Sequence, residues 1–244
     1  MLGCRVGCNH EVDLPTPAQN FETPLFILGL PRSGTSMVAG MCKKSGFWAG
    51  TTIAADRNNP KGYFEHAEIR ETLIKKVLQD LGCDPLGVRK LPDSEALTGD
   101  FDTRQQLAQI LKRDAYRGDR PWMYKDAKLT LLWPLFHRAF PKANWLVVTR
   151  DTDSFVDSCL RTSFMQQHSV QREFWESLAD DYANRLDALR AASSQVVEIH
   201  SPDLFGGDFS ALERVFQIYG MAFDAGKLKK FISAEHWHGK TAED

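Results

Sequence analysis

The stretch "FILGLPRSGTS", residues 26–36, decides the fold. The apolar run that ends at Gly29 predicts a strand buried on both faces. Residues 35–47 predict the helix that follows, capped by Ser33 or Thr35. A strand, a glycine-containing turn and a helix N-terminus in this order are typical of an anion-binding loop, because free backbone N–H groups and the helix dipole converge there.

The loop departs from the nucleotide-binding pattern G-x-x-x-x-G-K-[ST] at one position. Gly29, Gly34 and Ser36 stand where the pattern requires them, but Thr35 replaces the lysine and the positive charge lies at Arg32. In kinases and ATPases that lysine reaches the β- and γ-phosphates of a highly charged triphosphate. A sulfuryl group carries one negative charge and is transferred without a metal, so it fits this loop. An ordinary strand-to-helix turn is the alternative on spacing alone.

The composition of the 244-residue chain is that of an ordinary globular protein, with 43% hydrophobic residues, 25% charged residues and a net charge of −2. This near-neutral balance argues against a protein that coats nucleic acid. The apolar runs are too short to span a bilayer, and the first residues lack the apolar core of a secretory signal. We therefore expect a soluble, cytoplasmic protein.

The cysteines are five in number and scattered along the chain, which predicts reduced thiols rather than a disulfide framework. Cys4, Cys8 and His10 resemble half of a zinc site, but no second ligand pair follows at the usual spacing. We expect residues 1–20 to form a flexible tail and residues 21–244 to form one domain.

Strands alternate with helices along the rest of the chain. Further strands are predicted at 121–126, 143–151 and 195–200, and helices at 64–81, 102–116, 128–140 (interrupted at Pro134), 174–189 and 209–220. Residues 50–65 and 82–100 are expected to be loops. This alternation predicts an α/β, P-loop-like three-layer fold, with a central parallel sheet and helices on both faces. Ligands bind such sheets beyond the carboxyl ends of the strands.

Several segments, in order, resemble the sulfotransferase superfamily, whose donor is 3′-phosphoadenosine 5′-phosphosulfate (PAPS). "FILGLPRSGTS" resembles the loop that binds the 5′-phosphosulfate. "VVTRDTDSFVDS", residues 147–158, resembles the strand and helix that hold the 3′-phosphate. "NPKGYFE" (59–65) and "YKDAK" (124–128) are similar to two further segments of bacterial-type and tyrosylprotein-like sulfotransferases, and the last strand and helix have a similar layout.

The resemblance implies a donor site with two ends and no metal. At the 5′ end, Arg32 and the backbone N–H groups of four residues bind the phosphosulfate: Ser33, Gly34, Thr35 and Ser36. At the other end, Arg150 and Ser158 match the family's 3′-phosphate pair. Each arginine also has an ordinary structural role as its alternative. Arg32 would then be a surface residue on a turn, and Arg150 would pair with Asp151.

Two catalytic residues are predicted, one from the resemblance and one from its place in the chain. By the resemblance, Lys125 would meet the charge that develops on the oxygen leaving the phosphosulfate, and a structural salt bridge is its alternative role. Glu65 is the candidate general base, because it follows a turn and opens a predicted helix whose dipole favours the ionised form. His66 and Asp126 remain rival bases.

The sequence departs from the family pattern at three places. Lys125-Asp126-Ala127-Lys128 stands for Lys-Asp-Pro-Arg, Thr152 replaces the proline that commonly follows Arg-Asp, and the Arg-Lys-Gly near the end of cytosolic sulfotransferases is lacking. The segment "HWHGK", which contains His236, Trp237 and His238, is a loose substitute. These differences leave the main candidate residues unchanged, although Lys128 weakens any bidentate contact at its position.

The sequence therefore predicts a PAPS-dependent sulfotransferase that acts by direct in-line transfer. The acceptor stays open and includes small-molecule, carbohydrate, lipid and peptide hydroxyls, and less readily an amine. The oligomeric state is not predicted. Two alternatives remain: a P-loop small-molecule kinase that uses ATP and Mg²⁺, and a nucleotide-binding relative without catalysis.

Overall fold

The computed structural model describes residues 17–56, 59–99 and 101–232. The expectations for Cys4, Cys8 and His10, and for the segment around Trp237, lie outside these residues. No helix within the described ranges is long and apolar enough to cross a membrane.

The described strands form a four-stranded sheet. They are β1 (Leu25–Gly29), β2 (Met123–Lys125), β3 (Asn144–Thr149) and β4 (Val196–His200), in the spatial order β2-β1-β3-β4. All three pairings are parallel, so the carboxyl ends of the strands lie at one edge. β1 has every residue buried, as a strand covered on both faces requires.

Helices pack against both faces of the sheet, which confirms the predicted α/β fold. The bounds are α1 (Pro17–Glu22), α2 (Thr35–Lys44), a π-helix (Ile69–Ile74) continued by α3 (Lys75–Asp80), a 3₁₀ turn (Glu95–Thr98), α4 (Thr103–Arg113), α5 (Leu129–Ala139), α6 (Thr152–Arg161), α7 (Ser163–Gln166), α8 (Arg172–Ala192), α9 (Asp203–Gly206), α10 (Ser210–Ile218) and α11 (Ala225–Phe231). One apolar core lies beneath the π-helix and α3 to α8, and a second lies beneath α2 and α9 to α11.

Gly29 closes β1 where the backbones of two strands come together. A Cβ atom on Gly29 would lie 2.2 Å from the carbonyl oxygen of Val148 on β3. The Thr130 hydroxyl accepts from the Gly29 N–H group at 3.0 Å and donates to the Gly29 carbonyl at 3.1 Å. Glycine is thus required for the close approach, and α5 fixes the position from which the anion-binding loop departs.

Two predicted helices differ from the observed ones. The helix predicted from residue 64 begins only after His66, whose backbone bridges Thr52 instead. The interruption predicted at Pro134 is wrong, because α5 runs through it. Proline removes one hydrogen bond but has a helical φ angle, and four buried apolar side chains outweigh that loss: Leu131, Leu132, Leu135 and Phe136.

Candidate active site

A cavity of about 520 Å³ opens at the carboxyl edge of the sheet. Its wall combines the loop after β1, the end of β2, residues before and within α6, and the segment before the π-helix. Eight of the nine predicted site residues line it: Arg32, Gly34, Thr35, Ser36, Glu65, Lys125, Arg150 and Ser158. Residues more than a hundred positions apart therefore meet at the place that the strand ends predict.

The loop after β1 turns through two residues in the left-handed region. Arg32 has φ 64° and Gly34 has φ 95°. A left-handed arginine is uncommon, and strain of this kind clusters at functional sites. Gly34 is also the N-cap of α2, and no described side chain caps the helix, so the predicted capping by Ser33 or Thr35 is wrong. The first N–H groups of α2 therefore have no side-chain acceptor beside the cavity.

Ser33 is the predicted site residue that does not line the cavity. Its side chain is fully buried, and its hydroxyl has no hydrogen-bond partner within the described residues. Its N–H group donates to the carbonyl of Leu30 at 3.2 Å, inside the turn. Of the four residues predicted to bind the phosphosulfate through their N–H groups, Gly34, Thr35 and Ser36 thus line the cavity and Ser33 does not.

Positive charge converges at one end of the cavity. The Nε group of Arg32 donates to the Ser158 hydroxyl at 3.3 Å, and Arg150 donates to the backbone carbonyl of Arg32 at 3.2 Å. Burial, together with the neighbouring Arg32 and Arg161, lowers the pKa of Arg150. Like charges held this close favour the binding of an anion.

Lys125 ends β2 and reaches three acceptors. Its ammonium group donates to Glu65 Oε1 at 2.9 Å, to the Ser36 hydroxyl at 2.9 Å and to the Tyr63 carbonyl at 3.3 Å. Both charged residues are almost fully buried, with 3% of Lys125 and 7% of Glu65 exposed. The second oxygen of Glu65 lies 3.0 Å from Arg70 Nε. The Glu65 carboxylate is therefore held by two cations.

Glu65 does not open a helix, contrary to the expectation from sequence. It lies in the extended segment before the π-helix, and its backbone carbonyl accepts from the N–H group of Ile53. Its neighbour Phe64 has φ 59°, which turns the chain at this point. The charge of Glu65 is consequently stabilised by Lys125 and Arg70 rather than by a helix dipole.

His66, a rival base, lies outside the cavity lining. Its Nε2 atom is 3.0 Å from Asp114 Oδ2, and its Nδ1 atom accepts from the N–H group of Ile69 at 3.4 Å. Burial lowers the pKa of His66, although Asp114 opposes the shift. The N–H group and the hydroxyl of Thr51 also donate to Asp114. His66 and Asp114 therefore hold the loop that contains Thr51 in place.

Asp126, the other rival, borders the cavity but is fully buried. Its carboxylate accepts from the Lys128 ammonium at 2.8 Å, from the Lys128 N–H group at 2.9 Å and from the Tyr124 hydroxyl at 3.0 Å. Burial raises the pKa of Asp126, but Lys128 and Lys125 outweigh this effect and lower it overall. The Asp126 carboxylate, held by these three contacts, stabilises the wall of the cavity.

Sequence reasoning missed Arg70 as part of the site. It follows Glu65 by five residues, a spacing that does not bring two side chains together on a regular α-helix. It also missed the contact between the Tyr63 hydroxyl and both oxygens of Asp56, each 2.9 Å away. No local pattern in the sequence signals either contact, since both depend on how the segment 59–70 folds back.

The comparison with known families identifies the family of the chain. The model of the sulfotransferase family matches residues 24–225, a range that contains every candidate residue. The chain belongs to the sulfotransferase family. No curated protein sequence matches it significantly.

Solved sulfotransferase domains share the fold of this family member. The sulfotransferase domain from the curacin biosynthetic pathway superposes with a TM-score of 0.57 at 14% identity, over 90% of this chain and 81% of that one. The sulfotransferase domain from the Synechococcus PCC 7002 olefin synthase gives 0.55 at 16% identity, with the same coverage of both chains. At these identities the likeness concerns the fold.

Proposed function

We propose that this sulfotransferase transfers the sulfuryl group of PAPS to an acceptor hydroxyl, or less readily an amine, by direct in-line attack. The observation that carries the proposal is the Lys125–Glu65 pair, which lies beside Ser36 at the start of α2 and shares one cavity with Arg32 and Arg150. An acid–base pair and a phosphate-binding loop in one cavity are the two components that this reaction requires.

The donor would occupy the cationic end of the cavity. Arg32 and the N–H groups of three residues would hold the 5′-phosphosulfate: Gly34, Thr35 and Ser36. Arg150 and Ser158 would hold the 3′-phosphate. Because Arg32 contacts Ser158 and its carbonyl contacts Arg150, the two anion sites are contiguous, as one doubly phosphorylated nucleotide requires.

The reacting groups would lie between the donor and the acceptor. As the acceptor oxygen forms its bond to sulfur, the bond from sulfur to the 5′-phosphate oxygen breaks, and its electron pair leaves on adenosine 3′,5′-bisphosphate. Lys125 would stabilise that oxygen, and Glu65 would accept the acceptor's proton. Arg32, Arg150 and Lys125 supply the positive charge that kinases draw partly from Mg²⁺, so the proposal includes no metal.

The acceptor is a small-molecule, carbohydrate, lipid or peptide hydroxyl. The rival function is that of a P-loop kinase, and Thr35 disfavours it because the position of the loop lysine is occupied by a short hydroxyl side chain. A second rival is a relative that binds the nucleotide and transfers nothing. The close pairing of Lys125 with Glu65 favours the catalytic role.

A thermal-shift comparison tests the donor. Adenosine 3′,5′-bisphosphate without Mg²⁺ should raise the melting temperature, because a ligand at 100 times its Kd stabilises the folded state by about 2.7 kcal/mol. ATP with Mg²⁺ should raise it little, and the reverse preference would contradict the proposal. Radiolabelled PAPS offered with a panel of alcohols, phenols, sugars and tyrosine peptides then tests transfer. Stabilisation without transfer to any acceptor would favour the non-catalytic relative.

A further inference from the structure

The helix that follows Glu65 is irregular where it passes the cavity. Residues Ile69–Ile74 form a π-helix, and a regular α-helix resumes at Lys75. π-Helical turns are rare and are found most often at functional sites. This stretch buries Ile69, Leu73 and Ile74 in the apolar core, whereas Arg70 lines the cavity.

The Arg70 guanidinium contacts two carboxylates. Its Nη1 atom donates to Glu71 Oε1 at 2.8 Å, and its Nε atom lies 3.0 Å from Glu65 Oε2, an ion-pair contact without the geometry of a hydrogen bond. Its backbone N–H group donates to the carbonyl of His66 at 3.0 Å. A planar guanidinium anchored in this way presents a fixed edge to the carboxylate, which a flexible ammonium would not do.

The contact with Arg70 becomes essential once the donor is bound, if the proposed function holds. Lys125 then turns toward the oxygen that leaves the phosphosulfate, and Glu65 loses one of its two cations. A carboxylate with only 10% of its side chain exposed is costly to leave unpaired. Among the described residues, Arg70 is then the cation that still contacts Glu65.

We propose that Arg70 is a positioning residue, which holds Glu65 Oε2 so that Oε1 faces the acceptor hydroxyl after Lys125 has turned to the donor. Arg70 lies in the first turn of the helix, where its N–H group bonds to the His66 carbonyl four residues earlier. This inference rests on the proposed sulfuryl transfer and adds to it the residue that keeps the base oriented.

A split between kcat and KM separates this role from a structural one. The charged groups that contact Glu65 are Lys125 from β2 and Arg70 from the π-helix. Removing Arg70 leaves the Glu65 carboxylate without its second partner, so the base should be misplaced in the transition state while the donor still binds. The rate of transfer should therefore fall while KM for the donor stays unchanged.

The test uses Arg70→Gln and Arg70→Lys, with Arg113→Gln as the matched control. Arg113 pairs with Glu68 at the protein surface and does not line the cavity. Arg70→Gln should lower kcat by about 10- to 100-fold and leave KM for the donor unchanged. Arg70→Lys should recover part of the lost kcat, and Arg113→Gln should change neither constant.

Three readouts keep the outcomes distinct. Stabilisation by adenosine 3′,5′-bisphosphate should be unchanged in Arg70→Gln, and its loss would overturn the inference by assigning Arg70 to donor binding. A wild-type kcat in Arg70→Gln would also overturn it, while leaving the proposed function intact. A wild-type protein that transfers no sulfuryl group would overturn both. If Arg70→Gln unfolds, Glu71→Gln, which frees the far end of the guanidinium at an exposed position, should show a smaller fall in kcat, and a wild-type kcat there would overturn the inference.

Discussion

Lys125 Nζ and Glu65 Oε1 lie 2.9 Å apart in the cavity wall, where both side chains are almost fully buried, although 60 positions separate the two residues in the sequence. Removing two charges from water is expensive, and an apolar pair of similar volume often stabilises a protein more. The buried pair is therefore better explained by chemistry than by stability. Each substitution in it should separate catalysis from binding.

Replacing the candidate base should abolish turnover. Glu65→Gln keeps the shape of the side chain but removes its ability to take a proton, so the transfer rate should fall by at least about 100-fold. Stabilisation by adenosine 3′,5′-bisphosphate should stay nearly unchanged, because Arg32 and Arg150 are intact. Glu68→Gln, at the exposed pair with Arg113, is the control. If Glu65→Gln keeps most of the activity, Glu65 is not the base.

Removing Arg150 should weaken the binding of nucleotides that carry a 3′-phosphate. Hydrogen bonds to charged groups contribute about 1.5–3 kcal/mol, so Arg150→Ala should lower the affinity for adenosine 3′,5′-bisphosphate by about 10- to 100-fold. Binding of adenosine 5′-monophosphate, which lacks the 3′-phosphate, should change far less. Calorimetric titration of both nucleotides measures the difference. An equal loss for the two would argue against contact with the 3′-phosphate.

A methyl group at Gly29 should destabilise the fold. In Gly29→Ala the new Cβ would meet the Val148 carbonyl at 2.2 Å and force β1 and β3 apart. Overpacking of this kind costs about 1–3 kcal/mol, or about 2–4 °C of melting temperature for each kcal/mol in a chain of this size. Gly206→Ala is the matched control, since nothing lies within 4 Å of its added Cβ. Equal melting temperatures for the two variants would refute the strand contact.

The stability of the protein should fall with pH below about 6.5, and His66 should be a cause. Burial lowers the pKa of His66 in the folded state, while the unfolded chain titrates at about 6.5. Between these two values the unfolded state binds more protons, so stability is complete above 6.5 and is lost as the pH falls. Melting temperatures at pH 7.5 and 5.5 should differ less in His66→Gln than in the wild type. A larger difference in the variant would contradict this account.

The same variant tests His66 as a rival base. His66 contacts Asp114 and Ile69 rather than the cavity, so turnover at neutral pH should survive in His66→Gln wherever the protein remains folded. Initial rates measured below the melting temperature of the variant check this. A complete loss of activity in a folded variant would restore His66 as a candidate base.

The sheet and the location of the site could be predicted because both depend on regular patterns. The run before Gly29 and the run before Arg150 are apolar throughout, as strands covered on both faces must be. Parallel strands place their carboxyl ends at one edge, and this alone brings Arg32, Lys125 and Arg150 together. The family resemblance added the roles of these residues, which remain proposals.

The details that were wrong depend on contacts between distant segments. The helix start after His66 follows from the Thr52–His66 bridge, and the capping of α2 by Gly34 follows from a left-handed turn. Local propensity predicts a break at position 134, because it takes no account of the buried residues around it. Arg70 could not be predicted, since its contact with Glu65 depends on how the extended segment before the helix folds back.

The sheet order also has a consequence for how the chain reaches its native state. The central strand β1 pairs with partners far along the chain, Leu25 with Met123 and Leu25 with Asn144. Closing loops of this length loses entropy before any contact compensates, so proteins dominated by such pairings fold slowly. Arg32 and Arg150 come together only when β3 has docked beside β1. The capacity to retain a doubly phosphorylated nucleotide should therefore be among the last properties to return on refolding.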